Sequence, residues 1–240
     1  MTTTTPYASG TRAIGPVGTS ADRCIRRLQH GYREDRPSAV STLARLRRGA
    51  GQPANSLPDL WGQTGTEDLA QVLADAADET RTPASGTAAD RDRRPVDHAR
   101  AEEALHLAVT LWALHQQSHR DMDTHVAGHG LGRSVRALMS RTAPATDSGT
   151  AAATAAPELD EPVRRRFVRI GTATSLDILG QRLREIVLLL RKDDIPLDYA
   201  LLAEQLYWWQ LPAAQTGVRR EWGRDFHLAG TVRAKAADDS

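Results

Sequence analysis

A single cysteine, Cys24, stands among 240 residues. That excludes an intrachain disulfide and a cysteine-built metal site, and it fits a reducing compartment. Lysine is nearly missing: Lys192 and Lys235 are the only two, so 29 of the 31 basic residues are arginine. No uninterrupted apolar run approaches the ~20 residues that a membrane span needs. Residues 1–20 are rich in Thr, Gly and Pro and lack the apolar stretch of a secretory signal. The expectation is a cytoplasmic protein with no membrane partner. β-Branched aliphatics are scarce too, with Ile and Val totalling 18 against 37 Ala and 26 Leu. Ala and Leu favour helices and β-branched residues favour strands, so the composition argues against a sheet protein and predicts an all-α fold. A dominant charge of one sign is also absent, since 31 basic residues face 30 acidic ones for a net +1.

Apolar residues recur at helical spacing through most of the chain. The pattern predicts helices over residues 21–35, with Ser20 as N-cap, then 37–49, 66–76, 95–119, 131–138, 163–170, 176–191, 197–209 and 218–226. Residues 143–162 are rich in Ala, Thr, Pro and Ser and have no apolar period, so they read as a linker. The predicted organisation is a disordered tail over 1–19, a helical bundle over 20–142, the linker over 143–162, a second small bundle over 163–229 and a disordered tail over 230–240. Residues 80–94 read as a loop.

Local charge differs from the total. Residues 20–48 carry eight Arg and three acids, for +5; residues 163–192 carry eight basic residues and two acids, for +6; residues 59–80 carry six acids and no base, for −6. Two readings follow. Basic and acidic faces can be solvated or pair within the fold, or Arg on adjacent helices can form a track for phosphate backbones. Arg164, Arg165, Arg166 and Arg169 span just over one helical turn, and three of them can point away from the Phe167 and Ile170 face.

Other chemistry is weakly signalled. His115 and His119 sit four residues apart, as do His125 and His129, a spacing that can hold a metal through imidazole nitrogens. There is no H-E-x-x-H, however, and His115 falls on an apolar stripe with Trp112, where a hydrogen-bonded core histidine is expected. Gly128, Gly130 and Gly132 lack the preceding strand and the Gly-Lys-Ser/Thr ending of a phosphate loop. No nucleophile elbow is present, and Cys24 lies on a helix face where packing is the expected role.

Several segments together resemble the CasB family, the small subunit of the type I-E CRISPR Cascade surveillance complex. They are Leu43-Ala44-Arg45-Leu46-Arg47-Arg48-Gly49, Leu114-His115-Gln116-Gln117 and Gly130-Leu131-Gly132-Arg133. Further on come Arg165-Arg166-Phe167, Leu183-Arg184, Ile195-Pro196-Leu197-Asp198-Tyr199, Tyr207-Trp208-Trp209 and the run from Arg219 to Phe226. The resemblance implies an all-helical protein of two small bundles with no catalytic activity and no cofactor. It also implies other Cascade subunits and a second copy of the chain as partners, with crRNA and target and displaced DNA backbones as ligands. Carried onto this chain, it makes Arg45, Arg47, Arg48, Arg133, Arg165, Arg166, Arg169 and Arg184 candidate nucleic-acid contacts. Arg219, Arg220 and Arg224 follow, with Glu221 and Asp225 on the same helix as competing partners. Two alternatives stand beside this reading: a metal-dependent helical hydrolase using the His115–His129 group, and a scaffold that binds only protein.

Overall fold

The computed structural model describes residues 14–81, 95–117, 119–142 and 160–238. Among them are nine α-helices: α1 (Pro16–Arg33), α2 (Pro37–Leu46), α3 (Thr66–Arg81), α4 (His98–Gln116), α5 (Leu131–Thr142), α6 (Glu161–Gly171), α7 (Leu176–Lys192), α8 (Tyr199–Trp209) and α9 (Pro212–Asp238). Short 3₁₀ turns occupy Arg47–Gly49, Ala54–Ser56 and Pro58–Leu60. Extended pairing among the described residues is limited to one bridge, His125 to Leu197. The all-α expectation holds. No helix of the described residues is long and apolar enough to cross a membrane.

Two helices form the centre. α4 is buried on nearly every side from Ala104 to Gln116, and α8 is buried likewise, as all-round apolar helices must be. α1 packs on α4 and α8, α4 on α7 and α8, and α5 on α9. Helices from both sides of residues 143–159 thus enter one continuous apolar cluster, and the two expected bundles share a core. The linker composition marks where the chain leaves that core, not which helices meet.

Two ends differ from expectation. The first helix starts at Pro16, because proline's fixed φ suits the first helical turn. Ser20 is therefore not its cap; it is buried inside α1 and its hydroxyl donates to the Pro16 carbonyl at 2.7 Å. At the other end α9 runs to Asp238, through an Ala-rich stretch of high helix propensity, in place of the predicted tail over 230–240. Of the tail expected over 1–19, residues 16–19 belong to α1 and residues 1–13 lie outside the described residues, as does most of the linker.

The N-terminus of α1 has no side-chain cap of its own. Glu204 supplies one from α8: the Gly18 N–H donates to its Oε2 at 3.0 Å, and the Trp208 indole donates to its Oε1 at 2.8 Å. Gly15 makes room, since a Cβ there would lie 2.5 Å from Glu204 Oε1. Removing a charged, buried cap costs about 2 kcal/mol. Glu204→Ala is therefore expected to lower the melting temperature by roughly 4–8 °C, with Glu204→Gln losing less, as read by thermal denaturation.

A buried polar cluster ties α1, α4 and α8 together. His125 Nδ1 accepts the Tyr199 N–H at 3.1 Å, so its Nε2–H donates to Asp22 at 3.0 Å. His115 Nδ1 shares a 2.8 Å hydrogen bond with the Tyr199 hydroxyl. Burial, then the nearby His119 and Arg191, push the His115 pKa down to about 3. The unfolded chain takes up this proton near 6.5 and the folded one does not, so the stability is complete above that pH and is lost as pH falls toward 3. Between pH 7 and 5 the loss is about 2 kcal/mol. Denaturant unfolding at the two pH values should show it, and His115→Gln should flatten that slope; an unchanged slope in the variant would assign the proton elsewhere.

Candidate nucleic-acid interface

The first basic block is largely used within the fold. Arg27 grips Asp68 of α3 with two prongs at 2.6 and 2.9 Å, and Arg23 meets Asp75 at 3.2 Å. Arg48 reaches Asp59 at 3.2 Å. Arg26 pairs with Asp22, Arg33 with Asp123 and Arg36 with Glu34. Six of the eight arginines over 20–48 therefore face a carboxylate, and three of those carboxylates belong to the acidic block. The pairing reading is right for this part of the chain. Arg45 is half-buried over Thr42 Oγ1 at 3.5 Å. The Arg47 side chain has no hydrogen-bond or ion-pair partner among the described residues.

The second basic block differs. Asp160 caps α6 by accepting the Val163 N–H at 3.2 Å, with Pro162 in the first turn. Val163 and Ile170 point inward, and Phe167 stacks on Phe226 of α9 at 5.3 Å. That orientation leaves Arg164, Arg165 and Arg169 exposed and Arg166 half-buried. Arg164 pairs with Glu161 at 3.3 Å, and Arg169 approaches Glu185 at 3.9 Å. Arg166 donates to the Pro162 carbonyl at 3.4 Å, while Arg165 is exposed and faces no acid among the described residues. On α7, Arg184 is likewise exposed, with no acid partner among the described residues. Asp177 and Glu185 are the only acids over 163–192, so a positive surplus stays on this surface.

One hydrogen bond ties the two helices of that surface together, and another joins it to the end of the first block. Arg182 donates to the Arg169 carbonyl and locks α7 to the last turn of α6. Gln181 of α7 donates to the Gly51 carbonyl at 2.8 Å, two residues beyond the Arg47–Gly49 turn. Gly51, at φ +79°, lies against Arg184: a Cβ there would meet Arg184 Cδ at 3.1 Å. The fold thus links α6, α7 and the Arg47–Arg48 turn one to the next. Sequence reasoning passes over Arg182, because its place beside Leu183 carries no signal of this inter-helix bond.

The remaining candidates sit apart. Arg219 is half-buried, donates to the Ala173 carbonyl at 2.6 Å and lies over the Trp209 ring at 5.9 Å. That is a clamp between α9 and the α6–α7 turn. Arg220 and Arg224 are exposed on α9. Of the acids on the same helix, Glu221 accepts from Gln205 at 3.1 Å and Asp225 accepts the Arg133 backbone N–H at 2.8 Å. The Arg133 side chain is exposed at the start of α5.

The histidines are placed by protein partners. His115 and His125 belong to the buried cluster, and His119 lies 3.5 Å from Asp194. Among the described residues no three His, Cys, Asp or Glu side chains gather as a metal site. The glycine run is a packing device. Gly128, at φ +79°, donates its N–H to Asp198 at 2.8 Å. Gly130 clears the Asp225 carboxylate, and Gly132 lets α5 cross α9 with the two backbones touching. Cys24 is buried, and burial pushes its thiol up to about 12, which suits packing and not nucleophilic attack.

The described residues thus form an all-helical fold with an arginine-rich surface on α6 and α7. The CRISPR-associated protein Cse2 family profile matches residues 42–227, and the chain belongs to that family. The crystal structure of CasB from Thermobifida fusca is similar at 42% identity and a TM-score of 0.67, covering 90% of this chain and 99% of that one. A chain of a CRISPR RNA-guided surveillance complex is similar in fold at 23% identity and a TM-score of 0.55, covering 92% of this chain and 99% of that one. No curated protein sequence matches it.

Proposed function

We propose that the chain is a non-catalytic, nucleic-acid-binding small subunit of a type I-E CRISPR surveillance complex in the cytoplasm. It works beside other Cascade subunits and a second copy of itself. Its arginines hold the backbones of the crRNA–target hybrid and of the displaced DNA strand. The observation that carries this reading is the surplus on α6 and α7, where Arg165 and Arg184 are exposed and face no carboxylate among the described residues. Membership of the Cse2 family supports the setting.

The physics fits the role. Exchanging a DNA duplex for a guide–target hybrid is nearly balanced in energy, so sequence-independent contacts to backbones can tip it. Arginine forks make such contacts without reading bases. The test is a complex reconstituted with the wild-type chain or with Arg165, Arg166 and Arg184 all changed to Ala. The R-loop on a matched duplex should dissociate faster with the variant, and the displaced strand should become more sensitive to nuclease. Equal lifetimes with a fully assembled variant complex would contradict the reading.

A further inference from the structure

A second feature lies next to the Arg47–Arg48 turn and is built from other residues. The 54–66 segment and the first half of α4 enclose a cleft of about 450 Å³, within the range of pockets that take small groups. Trp61 forms one wall and is 67% exposed, an unusual position for the largest apolar side chain. Glu102 and Glu103 of α4 line the cleft as well. Glu103 is held by the Ala54 N–H at 3.3 Å, and Glu102 is exposed with no partner among the described residues. His106, one turn further along α4, also lines the cleft at 3% exposure, and its Nε2 has no hydrogen-bond partner among the described residues. Burial lowers its pKa, and its other nitrogen is engaged with the Gln52 backbone, so Nε2 is a bare acceptor.

The ionisable groups facing this cleft all accept. Two carboxylates and an imidazole nitrogen want N–H donors, and an indole face attracts a cation. The arrangement suits a planar guanidinium, which offers a fork of donors to carboxylates and stacks on an aromatic ring. We infer that the Trp61–Glu102–Glu103–His106 cleft is a docking site for an arginine side chain presented by a partner protein. A buried acceptor left unpaired is costly in the free chain, and an incoming donor removes that cost. The site is independent of the nucleic-acid surface and is tested without nucleic acid.

The probe is the peptide acetyl-Gly-Arg-Gly-amide, titrated into the ¹⁵N-labelled full chain. Five tryptophans give five indole N–H signals, and Trp61→Phe assigns the relevant one. The expected result is a saturable shift of the Trp61 signal, with the citrulline peptide binding at least tenfold more weakly. Glu102→Gln, at an exposed position that leaves the fold intact, should weaken binding about threefold, and Glu102→Gln with Glu103→Gln at least tenfold. A linear shift, equal binding of the citrulline peptide, or shifts spread over all five indoles would overturn the inference. So would tighter binding by a variant with Arg91, Arg93 and Arg94 changed to Ala, which would make the chain's own arginines the occupants.

Discussion

Replacing Gly132 by alanine is expected to destabilise the protein by about 3 kcal/mol, at the upper end of overpacking costs. A Cβ at this position would lie 2.2 Å from the Trp222 carbonyl oxygen and 2.4 Å from the Phe226 nitrogen. Both obstacles are backbone, so no side chain can swing away, and α5 and α9 must separate. The separation would also disturb what α9 holds: Trp222 is buried with its indole donating to Gln205 at 2.7 Å, and Phe226 stacks on Phe167 of α6. For a chain of this length the melting temperature should fall by roughly 6–12 °C. Gly128→Ala is the contrast. Nothing lies within 4 Å of a Cβ there, and only its φ of +79° resists substitution, at a cost of about 1 kcal/mol. A Gly132→Ala protein that melts within 2 °C of wild type would show that the helices do not cross this closely.

The variant carrying Arg165→Ala, Arg166→Ala and Arg184→Ala is expected to lose most of its low-salt affinity for duplex DNA. Each phosphate neutralised by an arginine releases condensed counterions and adds about 0.9 to the slope of log affinity against log salt. At 0.1 M salt that corresponds to about eightfold weaker binding for each such arginine removed. Three removed together would lower the slope by roughly 2.7; a single strand would show less, at about 0.7 each. The fold should tolerate the change. Arg165 and Arg184 are exposed and face no acid among the described residues, and Arg166 reaches only a carbonyl at 3.4 Å. Because no base is read, the drop in affinity should be uniform across sequences. A drop confined to one sequence would point to base recognition instead.

Much of the fold is legible in the sequence because helix signals are local. Ala and Leu content predicts an all-α chain, and α6, α7 and α8 lie close to their expected positions. Their caps are short-range too: Asp160, Ser175 and Asp198 each accept the backbone N–H three residues on. What is not legible depends on partners distant in sequence. The cap of α1 comes from Glu204, 186 residues from Gly18, so a local search settles on Ser20. The role of Gly132 needs the α9 backbone, and no periodicity reveals that. Segment charge is readable as +5, −6 and +6, but not which blocks meet. Packing α1 on α3 consumes much of the first block through Arg23 and Arg27. Among the described residues the α6–α7 block meets only Glu161 and Glu185 and keeps a positive surplus. The Trp61 cleft is invisible for the same reason, since Trp61 and His106 meet only once the 54–66 segment lies along α4.

The central claim is that unpaired arginines, not arginine content, bind the backbone. Two triple variants remove the same charge and separate these possibilities. One changes Arg165, Arg166 and Arg184 to Ala; the other changes Arg23, Arg27 and Arg33, which face Asp75, Asp68 and Asp123. The decisive measurement is the salt dependence of duplex binding for both, by fluorescence anisotropy over a salt range of about 50 to 200 mM. The first variant should lose about 2–3 from the log–log slope, and the second should stay within about 0.5 of wild type. Equal losses from the two would contradict the claim and return the binding to overall charge.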